Sequence, residues 1–481
     1  MNEIVATSGE RLSRLIHARQ VSCREVMNAY LDRIDAVNPA VNAIVALQPR
    51  ERLLAQADER DRQLAGGQSS GWMHGFPLAV KDLAQTAGIV TTLGSPIFRD
   101  HVPTSDSLVV ERMKRAGAIV IGKTNTPEFG LGSNTYNPVY GTTLNPYDPS
   151  RSAGGSSGGA AVALALRMLP VADGSDMGGS LRNPAGWNNV YGFRPSFGRV
   201  PKLPELDLFG QQLGVEGPMA RTAADLARLL AVQAGPDRRA PLSLNEDPGI
   251  FAETLSAAAP GAKIAWLGSL DGYLALEPGI ADVCGDALRT LESIGCVIEA
   301  ASLGFEPERL WQAWITLRSM LAGGALSAHY HEPRRRGLLK PEAIWEVEQG
   351  LSRTAHDIYR ASVVRSDWYR AALTLFERYD FLALPSAQVF PFDLHSNWPA
   401  EIAGRSMDTY HRWMEVVVPA TMAGLPAVSV PAGFGGASGL PIGLQLIGPP
   451  RADRAVLQLA HAYDQASDWV RRAPPPEPLP N

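Results

Sequence analysis

Val26, Tyr30, Ile34 and Val37 recur three or four positions apart, a repeat that places apolar side chains on one face of a helix. Ser22 precedes Glu25 by three residues, the capping-box pattern of a helix start, and Pro39 lies just past the end. These marks predict that the first 65 residues form a helical packing layer with no chemistry of its own. From about residue 75 the texture changes. Phe76-Pro77-Leu78-Ala79-Val80 and Ala118 to Ile121 are short apolar runs that predict buried strands, with a helix from Ser107 to Ala116 between them. Ala160 to Met168 predicts a helix, and Leu169 to Ala172 another strand. Strands alternating with helices over short connections predict an α/β sheet with helices on its faces. Residues 235–410 are richer in helix formers and at first lose the alternation; Phe381 to Pro385, Ala427 to Pro431 and Ile442 to Ile447 restore it. The pattern therefore predicts one sheet interrupted by a helical insertion. The tail APPPEPLPN is proline-rich and predicted to be extended or unstructured. No internal repeat is visible.

Composition narrows the class. The chain has 481 residues, 45% hydrophobic and 19% charged, which are globular values. A net charge of −5 gives no basic excess and argues against nucleic acid as the main partner; Arg334, Arg335 and Arg336 read as a solvated face. Cys23, Cys284 and Cys296 show no C-x-x-C spacing, so neither a zinc site nor a disulfide framework is indicated, and low cysteine usage fits a reducing compartment. The N-terminus lacks the apolar core of a secretory signal. The longest apolar run, Ala160 to Leu166, falls well short of the roughly 20 residues of a membrane span. The expectation is a soluble cytoplasmic protein with no membrane, metal or nucleic-acid partner.

Two motif matches fail on mechanics or context. Gly117 to Thr124, GAIVIGKT, fits the phosphate-loop pattern. Its intervening residues are Ala, Ile, Val and Ile, which suit a buried strand, and Asn125-Thr126-Pro127 interrupts any following helix. Lys123 is expected to be a structural hydrogen-bonding lysine at a strand end. Gly154-Gly155-Ser156-Ser157-Gly158 fits G-x-S-x-G, the nucleophile elbow of α/β-hydrolases. That elbow needs a preceding strand, but residues 145–150, NPYDPS, form a turn-rich loop. It also needs a later histidine, and His329, His331, His356, His395, His411 and His461 sit in no distinguishing context. This reading remains a weaker alternative.

A third constellation is longer. Leu78-Ala79-Val80-Lys81-Asp82 puts a lysine at the end of an apolar strand, where it either snorkels to solvent or is held desolvated. Asp176-Met177-Gly178-Gly179-Ser180 is a glycine-framed serine. Glycines permit positive φ and close approach of a ligand to backbone N–H groups. Consecutive free N–H groups beside a serine hydroxyl suit an acyl-transfer oxyanion. With the serines at 156 and 157, the set supplies a nucleophile, a relay and a base.

At these residues the chain resembles the amidase signature family. GFPLAVKDL at 75–83 is similar to the segment carrying that family's catalytic lysine, RSAGGSSGGAAVALAL at 151–166 to its serine-glycine signature, and DGSDMGGSLRNPAG at 173–186 to its nucleophile loop. Ser156 and Ser180 keep the family's spacing of 24 positions. SDSLVVERMKRAGAIVIGKTNTPEFG at 105–130 and the C-terminal GLPAVSVPAGF and GLPIGLQLIGP also match, and the likeness is thinnest between about 235 and 410.

The resemblance implies a single amidase domain over residues 1–481: a helical layer 1–65, a signature core 66–235, a divergent, mostly helical substrate-specificity insertion 235–410, the C-terminal part of the core 411–470 and a tail 471–481. It implies the amidase signature fold, with a central mixed twisted β-sheet of about ten or eleven strands flanked by helices on both faces. Carried over by position, Ser180 is the nucleophile, Ser156 the bridging serine and Lys81 the base, with the Gly155–Ser156 peptide cis. Met177, Gly178, Gly179 and Ser180 are the candidate oxyanion donors; Ser157, Asp176 and Arg182 support, and Asp82 is a structural acceptor. Leu131, Gly132 and Tyr136 are candidate pocket residues, and Trp311, Trp314, Trp398 and Trp413 candidate aromatic contacts. Free lysine titrates near 10.4, so the mechanism requires burial to bring Lys81 toward about 7–8. No metal or organic cofactor is implied.

The expected activity is hydrolysis of small aryl or alkyl amides, with carbamates (urethanes) and esters accessible to the same acyl-enzyme chemistry. The rival is the glutamine-hydrolysing A subunit of a tRNA-dependent amidotransferase, also a member of this family. A non-catalytic binding protein is a third reading, disfavoured by the retention of Lys81, Ser156 and Ser180 together. A homodimer is the common arrangement among relatives.

Overall fold

A computed structural model describes residues 2–210, 212–256 and 259–477. Helices Glu3–Ala6, Gly9–His17, Cys23–Val37 and Arg50–Ala65 form the N-terminal layer. Ser22 caps the third of these with the reciprocal Ser22–Glu25 capping box. Asp225 accepts the N–H groups of Gly9 and Glu10, tying the layer to the core.

The α/β class is as expected, but hydrogen bonds divide the strands between two main sheets. A three-stranded sheet sets Ile119–Thr124 between Ile44–Val45, antiparallel, and Pro77–Lys81, parallel. An eight-stranded mixed sheet runs Val297–Ala300, Lys263–Trp266, Phe381–Pro385, Leu440–Ile447, Ala427–Gly435, Tyr191–Arg194, Val215–Ala220 and Val171–Asp176. The first three of these strands are parallel and the rest of the pairings antiparallel. Where the sheets meet, the Lys81 N–H donates to the Asp173 carboxylate at 3.1 Å. A side chain occupies the place of a ladder bond, so the sheets abut without merging.

The stretch 235–410 is not wholly helical. Lys263–Trp266 and Val297–Ala300 carry the large sheet to its edge, as short strands with little period of their own. Between them and Phe381–Pro385 run the helices Pro307–Tyr330, Pro341–Ser352 and Ala355–Phe376. Among the described residues no helix is long and apolar enough to cross a membrane. Of the proline-rich tail, residues 473–477 adopt neither helix nor strand, and 478–481 lie outside the described residues.

Candidate active site

Every residue of Pro77–Lys81 is buried. A strand covered on both faces has no solvent side for a cation, so Lys81 ends inside the protein, 1% exposed. Its Nζ lies 2.8 Å from Ser156 Oγ, 2.8 Å from Ser157 Oγ and 3.1 Å from Ser175 Oγ. Burial disfavours the ammonium and brings the amine down from 10.5 to about 7, against the pull of Asp173, Asp176 and Glu216. Lys123, one residue before the end of the neighbouring strand, is also buried. It donates to Ala84 O at 2.6 Å and Thr86 Oγ1 at 2.8 Å, so the GAIVIGKT stretch is strand with a structural lysine. Asp82 accepts the N–H and hydroxyl of Thr92.

The serine-glycine loop enters the helix Gly158–Ala165, all of whose residues are buried. A Cβ on Gly159 would strike the Asn125 backbone, so this helix start requires glycine to seat against the small sheet. The Gly155–Ser156 peptide is cis. Ser133 and Thr135 donate to the carbonyls of Gly155 and Gly154 at 2.8 and 2.7 Å, holding the loop from outside. Ser157 sits behind Ser156, and its N–H donates to Ser180 O at 3.3 Å.

The strand Val171–Asp176 runs further than its apolar residues predict, and residues 177–180 form a turn beyond its end. Gly179 adopts φ +87°, and Val417 closes on the place a Cβ would take. Asp176 pins this turn, taking the Gly179 N–H at 3.0 Å and the Leu181 N–H at 3.2 Å. Arg182 grips the same carboxylate through Nε and Nη2, both at 3.0 Å, and Arg194 adds Nη1 at 3.3 Å. Burial alone would raise this carboxyl; the two guanidinium groups reverse that and hold it well below the usual range. Arg182 also donates to Val417 O, Gln445 Oε1 and Thr421 Oγ1, locking the turn to the large sheet.

Lys81, Ser156 and Ser180 line one cavity of about 340 Å³, a volume in the range of small-molecule sites. Lys81 and Ser156 are in direct contact. Ser180 is 8% exposed, and among the described residues its hydroxyl makes no hydrogen bond, to Ser156 or to any other group. Of the four candidate oxyanion donors, Gly179 is excluded because its N–H turns inward to Asp176; Met177, Gly178 and Ser180 line the cavity.

Leu131 and Gly132 form part of the wall. Tyr136 does not: its hydroxyl donates to Glu342 at 3.2 Å and its ring lies under Lys340, away from the cavity. The four tryptophans are also absent from the lining. Trp311 and Trp314 stack on each other at 5.0 Å, Trp413 stacks on Trp187, and Trp398 lies against Tyr410. Trp314 lies 3.3 Å from the place a Cβ on Gly178 would take, so it supports the turn from beneath. The apolar wall is Leu83, Leu93, Phe98, Phe129, Leu321 and Leu326. Arg318, Leu321, Ala322, Ala325, Leu326 and His329 come from one face of Pro307–Tyr330. Their three- and four-residue spacing is a legible signal in the divergent segment. Asp173 and Ser175 stand within the 173–186 stretch, which gave no sign of their contact with Lys81; Arg194 and Glu216 carry no motif signal and arrive through strand pairing.

The Amidase family model matches residues 25–457. An acylamidase of Rhodococcus erythropolis is 33% identical over 474 residues, covering 97% of each chain. The A subunit of glutamyl-tRNA(Gln) amidotransferase from Thermosynechococcus vestitus is 34% identical over 492 aligned positions, covering 97% of this chain and 99% of that relative. The crystal structure of a bacterial aryl acylamidase superposes with a TM-score of 0.90 at 30% identity, covering 98% of this chain and 99% of the other. The chain belongs to the amidase signature family and is an amidohydrolase.

Proposed function

We propose that the chain hydrolyses small acyl amides, aryl or alkyl, through an acyl-enzyme on Ser180, with Lys81 as base and Ser156 as the bridge between them. The observation that carries this reading is the buried amine of Lys81, brought to about 7, on the hydroxyl of Ser156 in the cavity that Ser180 lines. An ammonium can only donate. A neutral amine keeps a lone pair and accepts a proton, so near neutral pH Lys81 can draw one from Ser156.

Ser156 in turn takes the proton of Ser180 Oγ as that oxygen bonds to the substrate carbonyl carbon. Hydrogen bonds of this kind commonly tighten only once substrate is seated. The developing oxyanion faces the N–H groups of Met177, Gly178 and Ser180. Lys81 returns its proton through Ser156 to the departing nitrogen, and the C–N bond breaks. Water, deprotonated by the same relay, then attacks the acyl-enzyme and releases the acid. Esters and carbamates pass through the same type of intermediate and are further candidate substrates.

Glutamine hydrolysis within an amidotransferase is supported by the likeness to the A subunit. A glutamine carboxylate calls for an available cation, and the cations lining this cavity are engaged. Arg318 donates to Glu346 at 2.7 Å and Tyr410 at 2.9 Å, and Lys202 pairs with Glu205. The largely apolar wall instead suits an uncharged acyl or aryl group. The test is hydrolysis by the purified chain of a panel of anilides, primary amides, carbamates, esters and glutamine. Turnover of anilides or alkyl amides without any partner is expected; activity on glutamine alone, and only with added partner subunits, would replace this reading with its rival.

A further inference from the structure

One carboxyl on the cavity wall has no part in the hydrolysis just described. Glu216 stands opposite Ser175 in the antiparallel pairing of Val215–Ala220 with Val171–Asp176. Opposed residues of such a ladder project to the same face, and Ser175 uses that face to meet Lys81 Nζ. Asp173, two residues earlier on the same side, meets the Lys81 N–H. Glu216 therefore reaches the cavity beside the base.

The buried aspartates are matched, Asp173 by the Lys81 N–H, Asp176 by two arginines and Asp225 by two backbone N–H groups, and the buried Glu342 and Glu346 each have one oxygen engaged. Glu216 is 7% exposed, and its Oε2 is buried without a partner. Buried polar groups are paired in nearly all folded proteins, and the open side of Glu216 is the cavity. Burial, with Asp173 and Glu205 nearby, pushes its carboxyl up to about 8 against Lys202 and Lys81. A neutral carboxyl offers an acceptor oxygen beside an O–H.

We propose that Glu216 is a specificity-determining residue that accepts a hydrogen bond from an N–H or O–H of the substrate, so that the cavity selects amides bearing a polar donor over hydrocarbon analogues of the same shape. The assignment rests on the amidase reading above and narrows its substrate class to hydroxy-, amino- or amido-substituted acyl amides.

The test uses two matched pairs of probes. Lactanilide is compared with isobutyranilide, in which methyl replaces hydroxyl on the acyl side. The meta-hydroxyanilide of propionic acid is compared with its meta-methylanilide on the amine side. The wild-type enzyme is expected to favour the hydroxyl member of at least one pair by about tenfold in kcat/KM, since a site built around a polar partner rejects the analogue lacking it. E216L is expected to bring that ratio to near one, and E216Q, which keeps an acceptor oxygen, to retain it. A ratio within one preparation is independent of how much of it is folded, and a merely structural role would lower both members together. No preference in the wild type, or a preference that survives E216L, overturns the assignment. Failure of the wild type to hydrolyse any of the four anilides fails the amidase reading itself, whereas turnover of all four without discrimination fails only the role of Glu216.

Discussion

Replacing Lys81 by methionine removes the amine while nearly keeping the length of the side chain, and its effect on stability has a sign that depends on pH. The folded protein binds the Lys81 proton with a pKa of about 7 in place of 10.5. At 1.36 kcal/mol per pKa unit, the folded state carries a penalty of roughly 5 kcal/mol whenever that amine is charged. Between those two values the unfolded chain holds the proton and the folded chain does not, so wild-type stability rises with pH through this window. Below the folded value both states are protonated and the penalty is fully present. Integrating from about pH 7 to about pH 9 gives a gain of roughly 2 kcal/mol for the wild type that Lys81→Met lacks. The variant also leaves the hydroxyls of Ser156, Ser157 and Ser175 without their partner, at on the order of 1 kcal/mol each; that loss does not change with pH. Lys123 and Glu216 titrate nearby in both proteins and cancel in the difference to first order. Urea unfolding of both proteins, followed by tryptophan fluorescence at the two pH values, measures the term. Wild type minus variant should grow by about 2 kcal/mol on going to the higher pH; a constant difference would refute a desolvated lysine. Over the same range the wild-type kcat/KM should rise and level off around the folded pKa, and the variant should be inactive.

Ser180→Ala should abolish hydrolysis and shift the urea midpoint little, because the hydroxyl has no hydrogen-bond partner among the described residues; measurable wild-type-like turnover would dismiss it as the nucleophile. Asp176→Asn leaves the Arg182 and Arg194 guanidinium groups buried without their counter-charge, and should cost about 3–5 kcal/mol in the same unfolding assay. In the proposed mechanism an amine supplies the base, so exhaustive dialysis against a strong chelator should leave kcat unchanged, and loss of activity restored by added metal would speak against the lysine relay.

The helix Cys23–Val37 was legible because period and capping chemistry report on it directly, and the strands Pro77–Lys81 and Ile119–Thr124 and the helix Gly158–Ala165 because each holds an uninterrupted apolar run. The strand Ile44–Val45, inside the first 65 residues, was not, since two residues show no pattern. Nor were the strands Lys263–Trp266 and Val297–Ala300. Each has four residues, too few to show a period, and each is held by its neighbours in the sheet. The cavity divides in the same way. Lys81, Ser156 and Ser180 stand in glycine-rich or strand-end contexts that mark them in one dimension. The tryptophans and Tyr136 were misplaced because an aromatic residue carries the same sequence signal whether it lines a cavity or supports a turn from beneath.

By itself, then, the amino-acid order determined which side chains can do chemistry: a lysine ending a fully apolar strand, two hydroxyl-bearing glycine loops, and an aspartate and an arginine flanking the second loop. Tertiary structure alone decided how those groups behave. Two sheets meeting at Asp173 exclude water from the Lys81 amine and so lower its proton affinity. Strand pairing brings Ser175 and Glu216 to its side, and the face of Pro307–Tyr330 closes the apolar wall. Proton affinity and cavity shape depend on distances between segments far apart along the chain, and local residue order does not encode those distances.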